Sequence, residues 1–103
     1  MHKEILRAID RIVRLLRRCE KSEDWIGRFV TVRQRLKDNP RDAEAIEELR
    51  VLSAPRGFLG DCPHYPKPDF GLTRRQVEEE SDRLVEMTWN AIDKWKAQQG
   101  TGG

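Results

Sequence analysis

A chain of 103 residues has room for one compact domain with a single hydrophobic core. Hydrophobic and charged residues each make up 37% of the chain, which is too apolar for a disordered protein, while no stretch is uncharged enough to span a membrane. The two cysteines lack CxxC spacing and no apolar signal segment follows Met1, which predicts a cytoplasmic protein with free thiols. We expect one domain over residues 1–99 and a flexible tail at residues 100–103.

The first predicted element is an amphipathic helix over residues 4–19. Apolar side chains recur at intervals of three and four from Ile5 to Cys19, which gives the helix a continuous apolar stripe. Residues 1–21 contain seven Lys/Arg and three Asp/Glu, whereas the remainder of the chain has a net charge of −2. The basic side chains away from the stripe define a basic face, formed by Arg7, Arg11, Arg14 and Arg18.

The basic face has two interpretations. Arginines at helical spacing could follow the phosphates of a nucleic acid. Alternatively, they are solvated, contact a protein, or pair with Asp10, Glu20 or the acidic start of the last helix. No aromatic residue is interleaved with them in the sequence, so nucleic-acid binding is the alternative and not the leading hypothesis.

Two more helices are predicted before residue 53. The second begins after an N-cap at Ser22 and runs to about Lys37. In the third, Asn39 is the expected N-cap and Pro40 the first residue, because a proline at that position loses no hydrogen bond. Pro55 and a glycine soon after it end this helix.

Residues 54–72 differ from the rest of the chain. Prolines and glycines exclude a regular helix, yet the segment is too rich in aromatic residues for a flexible linker. A loop of this length in a compact domain is uncommon and often functional. Pro63 to Pro68 also contains one PxxP match, which favours a stiff strap across the domain over a ligand for an aromatic groove.

The predicted partner contacts come from this loop and from the edge of the last helix. Trp25 and Trp95 lie on apolar stripes and are predicted to be core residues, whereas Trp89 lies at the edge of its stripe. The expected contact residues are Phe58, Leu59, Asp61, Tyr65, Phe70 and Trp89.

Cys62 and His64 suggest two kinds of chemistry. Thiolate and imidazole are zinc ligands that His2 and Cys19 could complete, but no pair has the spacing of a known zinc turn. Cys62 could also be a nucleophile beside His64, yet residues two apart rarely orient each other and no glycine-rich loop opens a helix. We therefore expect no catalytic residue, no metal and no cofactor.

A capping box predicts the start of the last helix. Thr73 and Gln76 have the spacing at which side chain and backbone satisfy each other reciprocally. Apolar positions then recur at helical intervals from Val77 to Trp95. Four helices joined mostly by short turns predict an all-α fold, an antiparallel four-helix bundle with a long Pro/Gly/aromatic loop before the last helix.

The chain also carries two features, a tryptophan and a glycine-containing motif, in an order that resembles a known group of proteins. Trp25 lies at the start of the second helix, and the motif Gly57, Phe58, Leu59, Gly60, Asp61 precedes the last helix. This layout resembles that of a group of small helical bacterial proteins of unknown function, which look like toxin-neutralising or other accessory binding proteins. The resemblance implies an accessory binding protein.

Our leading hypothesis is a non-enzymatic protein-binding module, of the immunity or adaptor type, that uses residues 54–72 and adjacent helix surfaces. The alternative is nucleic-acid binding through the basic face of the first helix. A homodimer is a third arrangement to consider, because amphipathic helices can share a core between chains.

Overall fold

Four α-helices make up most of the computed structural model, which describes residues 2–20, 23–53 and 66–101. They are α1 (His2–Arg17), α2 (Glu23–Asp38), α3 (Ala43–Leu52) and α4 (Arg74–Thr101), with a single 3₁₀ turn at Pro68–Phe70. No β-strand occurs in the described ranges, so the fold is all-α as predicted. The expected N-cap Ser22 lies outside the described residues.

The helices contact one another in a closed order. α1 packs against α2 and α4, and α3 packs against the same two helices. Glu4 of α1 pairs with Lys94 of α4 at 3.5 Å, and Asp10 of α1 pairs with Arg33 of α2 at 2.6 Å. The first turn of α1 therefore lies beside the second half of α4, as in an antiparallel pair, whereas the middle of α1 lies beside the middle of α2.

The apolar stripes of the helices meet in one core. Each fully buried aliphatic or aromatic side chain stabilises the fold by roughly 1.5–3 kcal/mol relative to an exposed one. The fully buried members include Ile9, Ile12 and Leu16 of α1, Phe29 and Leu36 of α2, Ile46 and Leu49 of α3, and Leu84 and Ile92 of α4.

The tryptophans predicted to be core residues differ in burial. Trp95 is buried, and its indole N–H donates a 2.9 Å hydrogen bond to the carbonyl of Pro40. Trp25 is only half-buried at the edge of the core, contrary to the prediction. It lies in the first turn of α2 and packs against the core, and the guanidinium of Arg28 lies 4.6 Å from its ring centre.

The third helix begins later than predicted. Its N-cap is Asp42, whose Oδ1 accepts a 3.0 Å hydrogen bond from the backbone N–H of Ala45. Asn39 instead accepts a hydrogen bond from the backbone N–H of Arg41 in the preceding turn. The reason is tertiary, since both carboxylate oxygens of Asp42 also accept hydrogen bonds from Arg35 of α2, each at 3.1 Å.

The predicted capping box of the last helix is confirmed. The backbone N–H of Thr73 donates to Oε1 of Gln76 at 2.8 Å, and the backbone N–H of Gln76 donates to Oγ1 of Thr73 at 3.1 Å. These bonds fix the start of α4 and the direction in which the preceding segment enters it. α4 continues to Thr101, beyond the predicted domain end at residue 99.

Candidate partner-binding surface

The described end of the long loop is attached to the end of α1. The last turn of α1 tightens, because the backbone N–H groups of Arg18 and Cys19 each bond three residues back, at 3.0 Å. The carbonyl of Arg18 is then free to accept a 2.8 Å hydrogen bond from the backbone N–H of Lys67. Cys19 and Pro66 form an isolated antiparallel bridge beside it. The returning loop is therefore held next to the basic end of α1.

The 3₁₀ turn that follows positions Phe70. The backbone N–H of Gly71 donates to the carbonyl of Pro68 at 3.3 Å, and Gly71 has a φ of 61°, in the left-handed region that favours glycine. Leu72, directly afterwards, packs against the core. Phe70 is consequently fixed between two attached segments, with 50% of its surface exposed.

A groove lies between α1, α2 and this turn, and we call it the basic groove. It is lined by Asp10, Val13, Arg14 and Arg17 of α1, by Arg18 directly after that helix, by Val30 and Arg33 of α2, and by Phe70. Val30 is 44% exposed, so the groove has two accessible apolar side chains among its arginines. The fold thus joins a predicted loop contact, Phe70, to two members of the predicted basic face.

Three arginines of the basic groove form no ion pair with the residues that the structure describes. Asp10 also lines the groove, but both of its carboxylate oxygens bond to Arg33, at 2.6 and 3.5 Å. Within residues 2–20, 23–53 and 66–101, the side chains of Arg14, Arg17 and Arg18 form no ion pair. The predicted pairing of the basic face with Asp10 is therefore wrong, because α2 supplies the partner of Asp10.

The acidic start of α4 approaches the other side of α1 without neutralising it. Glu79 and Glu80 line a cleft there together with Arg11, Arg14 and Arg18. Their carboxylates pair within α4 instead, Glu79 with Arg75 at 3.3 Å and Glu80 with Arg83 at 3.4 Å. The predicted proximity is present, but the predicted ion pairs are not found in the part of the chain that the structure describes.

The remaining members of the basic face point towards α4. Arg11 lies 3.7 Å from the sulfur of Met87, and Arg7 lines a separate groove beside Glu86 and Lys94. The predicted face therefore divides into two parts, of which only Arg14 and Arg18 belong to the basic groove.

Trp89 lies away from the basic groove. It is half-buried, its indole N–H donates a 3.1 Å hydrogen bond to the carbonyl of Ser53, and the guanidinium of Arg50 lies 5.5 Å from its ring centre. Its contacts join α4 to α3. The other expected contact residues, Phe58, Leu59, Asp61 and Tyr65, lie outside the described residues.

The cysteine that the structure describes is a core residue. Cys19 is 1% exposed, and its thiol donates a 3.5 Å hydrogen bond to the carbonyl of Leu15. Burial raises the pKa of the Cys19 thiol, so it stays protonated at neutral pH and is a poor nucleophile. Cys62 and His64 lie outside the described ranges. Among the described residues, no three His, Cys, Asp or Glu side chains come together where they could bind a metal ion.

No family model, no curated protein and no solved structure matches the chain. None of the described helices is long and apolar enough to cross a membrane.

Proposed function

We propose that the protein is a non-enzymatic protein-binding module, of the immunity or adaptor type, that contacts its partner through residues 54–72 and the adjacent surfaces of α1 and α2. The observation that carries this proposal is the juxtaposition of a half-exposed Phe70 with Arg14, Arg17 and Arg18. Aromatic residues and arginine are the types enriched at the centres of protein interfaces.

The attachment of Phe70 also supports a role in binding. The Lys67–Arg18 hydrogen bond precedes the 3₁₀ turn and Leu72 packs into the core after it, so little freedom remains to be lost on association. Covering the exposed half of a phenylalanine side chain would stabilise a complex by about 1 kcal/mol from its apolar area alone.

Capture from a lysate of the native host tests this proposal. We expect Phe70→Ser to lose the proteins that the wild-type chain retains. Val51→Ser is the matched control, because Val51 is an equally accessible apolar residue, 57% exposed, on α3 and outside the basic groove. Undiminished capture by a folded Phe70→Ser variant would refute the proposal.

Nucleic-acid binding is the second candidate, and it is favoured by Arg14, Arg17 and Arg18, which form no ion pair within the described part of the chain. It predicts retention of the wild-type chain on immobilised single-stranded DNA that falls steeply with added salt. Charge reversal at Arg7, Arg14 and Arg18 would then abolish retention. Elution of the wild type at low salt would exclude this candidate.

A further inference from the structure

The chemistry of the basic groove restricts what kind of partner segment fits it. Three arginines without a described ion pair require negative charge from whatever covers them, because burying an unpaired guanidinium is costly. Guanidinium groups bind carboxylates with paired hydrogen bonds, which makes a carboxylate a geometric match as well as an electrostatic one.

The groove also requires an apolar group. Phe70 and Val30 expose apolar surface inside the same groove and next to the arginines. A partner that offered only charged groups would leave the apolar surface of Phe70 and Val30 either exposed to water or covered by carboxylates that had lost their own water. An apolar side chain between the carboxylates satisfies both parts of the groove.

The length of the groove matches a short segment. Its lining extends from Asp10 of α1 to Arg18, directly after the helix, and eight helical residue steps correspond to about 12 Å. That length accommodates roughly four residues of an extended chain or about eight residues of a helix.

Other charged groups lie near the groove. Beyond α1, Glu79 and Glu80 line a neighbouring cleft together with Arg11, Arg14, Arg18 and Arg83. The same carboxylates are an unfavourable occupant for the groove of a second copy of this chain, because they already pair with Arg75 and Arg83 of their own helix.

We propose that the basic groove binds a short acidic segment of the partner protein, in which carboxylates flank one large apolar side chain. Arg14, Arg17 and Arg18 bind the carboxylates, and Phe70 and Val30 enclose the apolar side chain. This inference rests on the proposed function and specifies the chemistry of its partner.

A selection from a random peptide library tests the inference without knowledge of the partner. The probe is a displayed library of peptides of about twelve residues, longer than the groove requires. The full chain is the bait, and a parallel selection uses the Arg14→Gln/Arg17→Gln variant. We expect the peptides enriched on the wild type alone to contain acidic residues on both sides of a large apolar residue.

The affinity of an enriched peptide is then measured by fluorescence anisotropy. Arg14→Gln/Arg17→Gln and Phe70→Ser should each weaken binding by about tenfold or more, since each removes charged hydrogen bonds or apolar contact. Both arginines are exposed, so the double variant should fold. Arg41→Gln, an exposed arginine in the turn before α3, is the charge-matched control and should leave the affinity unchanged.

Three outcomes would overturn the inference. They are enrichment of peptides without acidic residues, tighter binding of a single-stranded DNA oligonucleotide than of any selected peptide, and a groove-dependent dimer in sedimentation. The partner captured from a lysate separates this inference from the proposed function. If Phe70→Ser loses that partner but Arg14→Gln/Arg17→Gln retains it, the inference fails and the proposed function stands. If both variants retain it, both fail.

Discussion

The backbone N–H of Lys67 lies 2.8 Å from the carbonyl oxygen of Arg18 and donates a hydrogen bond to it. This bond joins the end of the long loop to the end of α1, so the position of Phe70 depends on where α1 stops. Because the last turn of α1 is tightened, the Arg18 carbonyl is available to an outside donor. The end of α1 therefore supplies the hydrogen-bond acceptor that holds the loop, and with it Phe70, beside the arginines of the basic groove.

Replacing Gly71 by alanine should destabilise the fold and weaken binding at the basic groove together. Gly71 has a φ of 61°, and among the described residues beyond its chain neighbours no atom lies within 4 Å of an added Cβ, so we expect the cost to come from backbone strain. We expect a loss of about 1 kcal/mol in the free energy of unfolding. Urea denaturation measures it, and an unchanged midpoint would contradict the assigned conformation.

Gly27→Ala is the control for that substitution and should change the free energy of unfolding in the opposite direction. Gly27 is exposed in the interior of α2, with open space where its Cβ would be. Alanine there should raise the free energy of unfolding by up to about 1 kcal/mol, because helix propensity improves and the unfolded chain loses freedom. Loss of stability in both alanine variants would mean that backbone conformation does not decide the Gly71 result.

Asp42→Ala should destabilise α3 more than Asn39→Ala does. Asp42 caps the helix and binds Arg35 with both oxygens, whereas Asn39 only closes the preceding turn. We expect Asp42→Ala to lower the midpoint of thermal unfolding by about 5 °C. A larger loss of stability in Asn39→Ala would instead support Asn39 as the N-cap, as expected from the sequence.

The contribution of Asp42 should also depend on pH. The backbone N–H of Ala45, followed by the guanidinium of Arg35, holds the pKa of Asp42 below its ordinary value. A carboxyl with a lowered folded-state pKa stabilises the fold above its unfolded pKa of about 4, and this contribution is lost as the pH falls further. The stability difference between the wild type and Asp42→Asn should therefore shrink below about pH 4. A difference that grew on acidification would contradict this sign.

The sequence predicts the helices well because apolar periodicity and local caps determine them. The stripe of α1 and the reciprocal bonds between Thr73 and Gln76 need only residues close together in the chain. The start of α3 was wrongly predicted because the preference for Asp42 over Asn39 comes from Arg35 on another helix. The partial exposure of Trp25 was missed for a similar reason, since burial depends on what packs against the first turn of α2.

The basic groove is only partly predictable from the sequence. The sequence assigns Phe70 to one predicted surface and the two arginines, Arg14 and Arg18, to another. Nothing in their spacing indicates that the loop returns to the end of α1. Arg33 and Val30 belong to α2 and become groove residues only through helix packing. In the sequence, Val30 lies beside the apolar stripe of α2 together with Ile26, so nothing in its spacing separates it from core residues.

Ser81→Ala should be neutral or slightly stabilising. Ser81 is 3% exposed on the core-facing side of α4, and its hydroxyl has no hydrogen-bond partner among the residues that the structure describes. A buried hydroxyl without a partner has lost its water without compensation, so removing it should raise the free energy of unfolding by up to about 1 kcal/mol. Urea denaturation checks the sign. A clear loss of stability would show that the hydroxyl has a partner in solution.

Phe29 and Val30 are adjacent in α2, and substitutions at the two positions should have different effects: one on the stability of the fold, the other on binding. Phe29 is 0% exposed in the core, so Phe29→Ala should cost about 3–5 kcal/mol in the free energy of unfolding. Val30 is 44% exposed in the basic groove, so Val30→Ala should change stability by less than about 0.5 kcal/mol. Val30→Ala should nevertheless weaken binding of the selected acidic peptide, because it removes part of the apolar surface of the groove. Chemical denaturation and anisotropy on the same samples make the comparison, and full affinity in Val30→Ala would remove α2 from the binding surface.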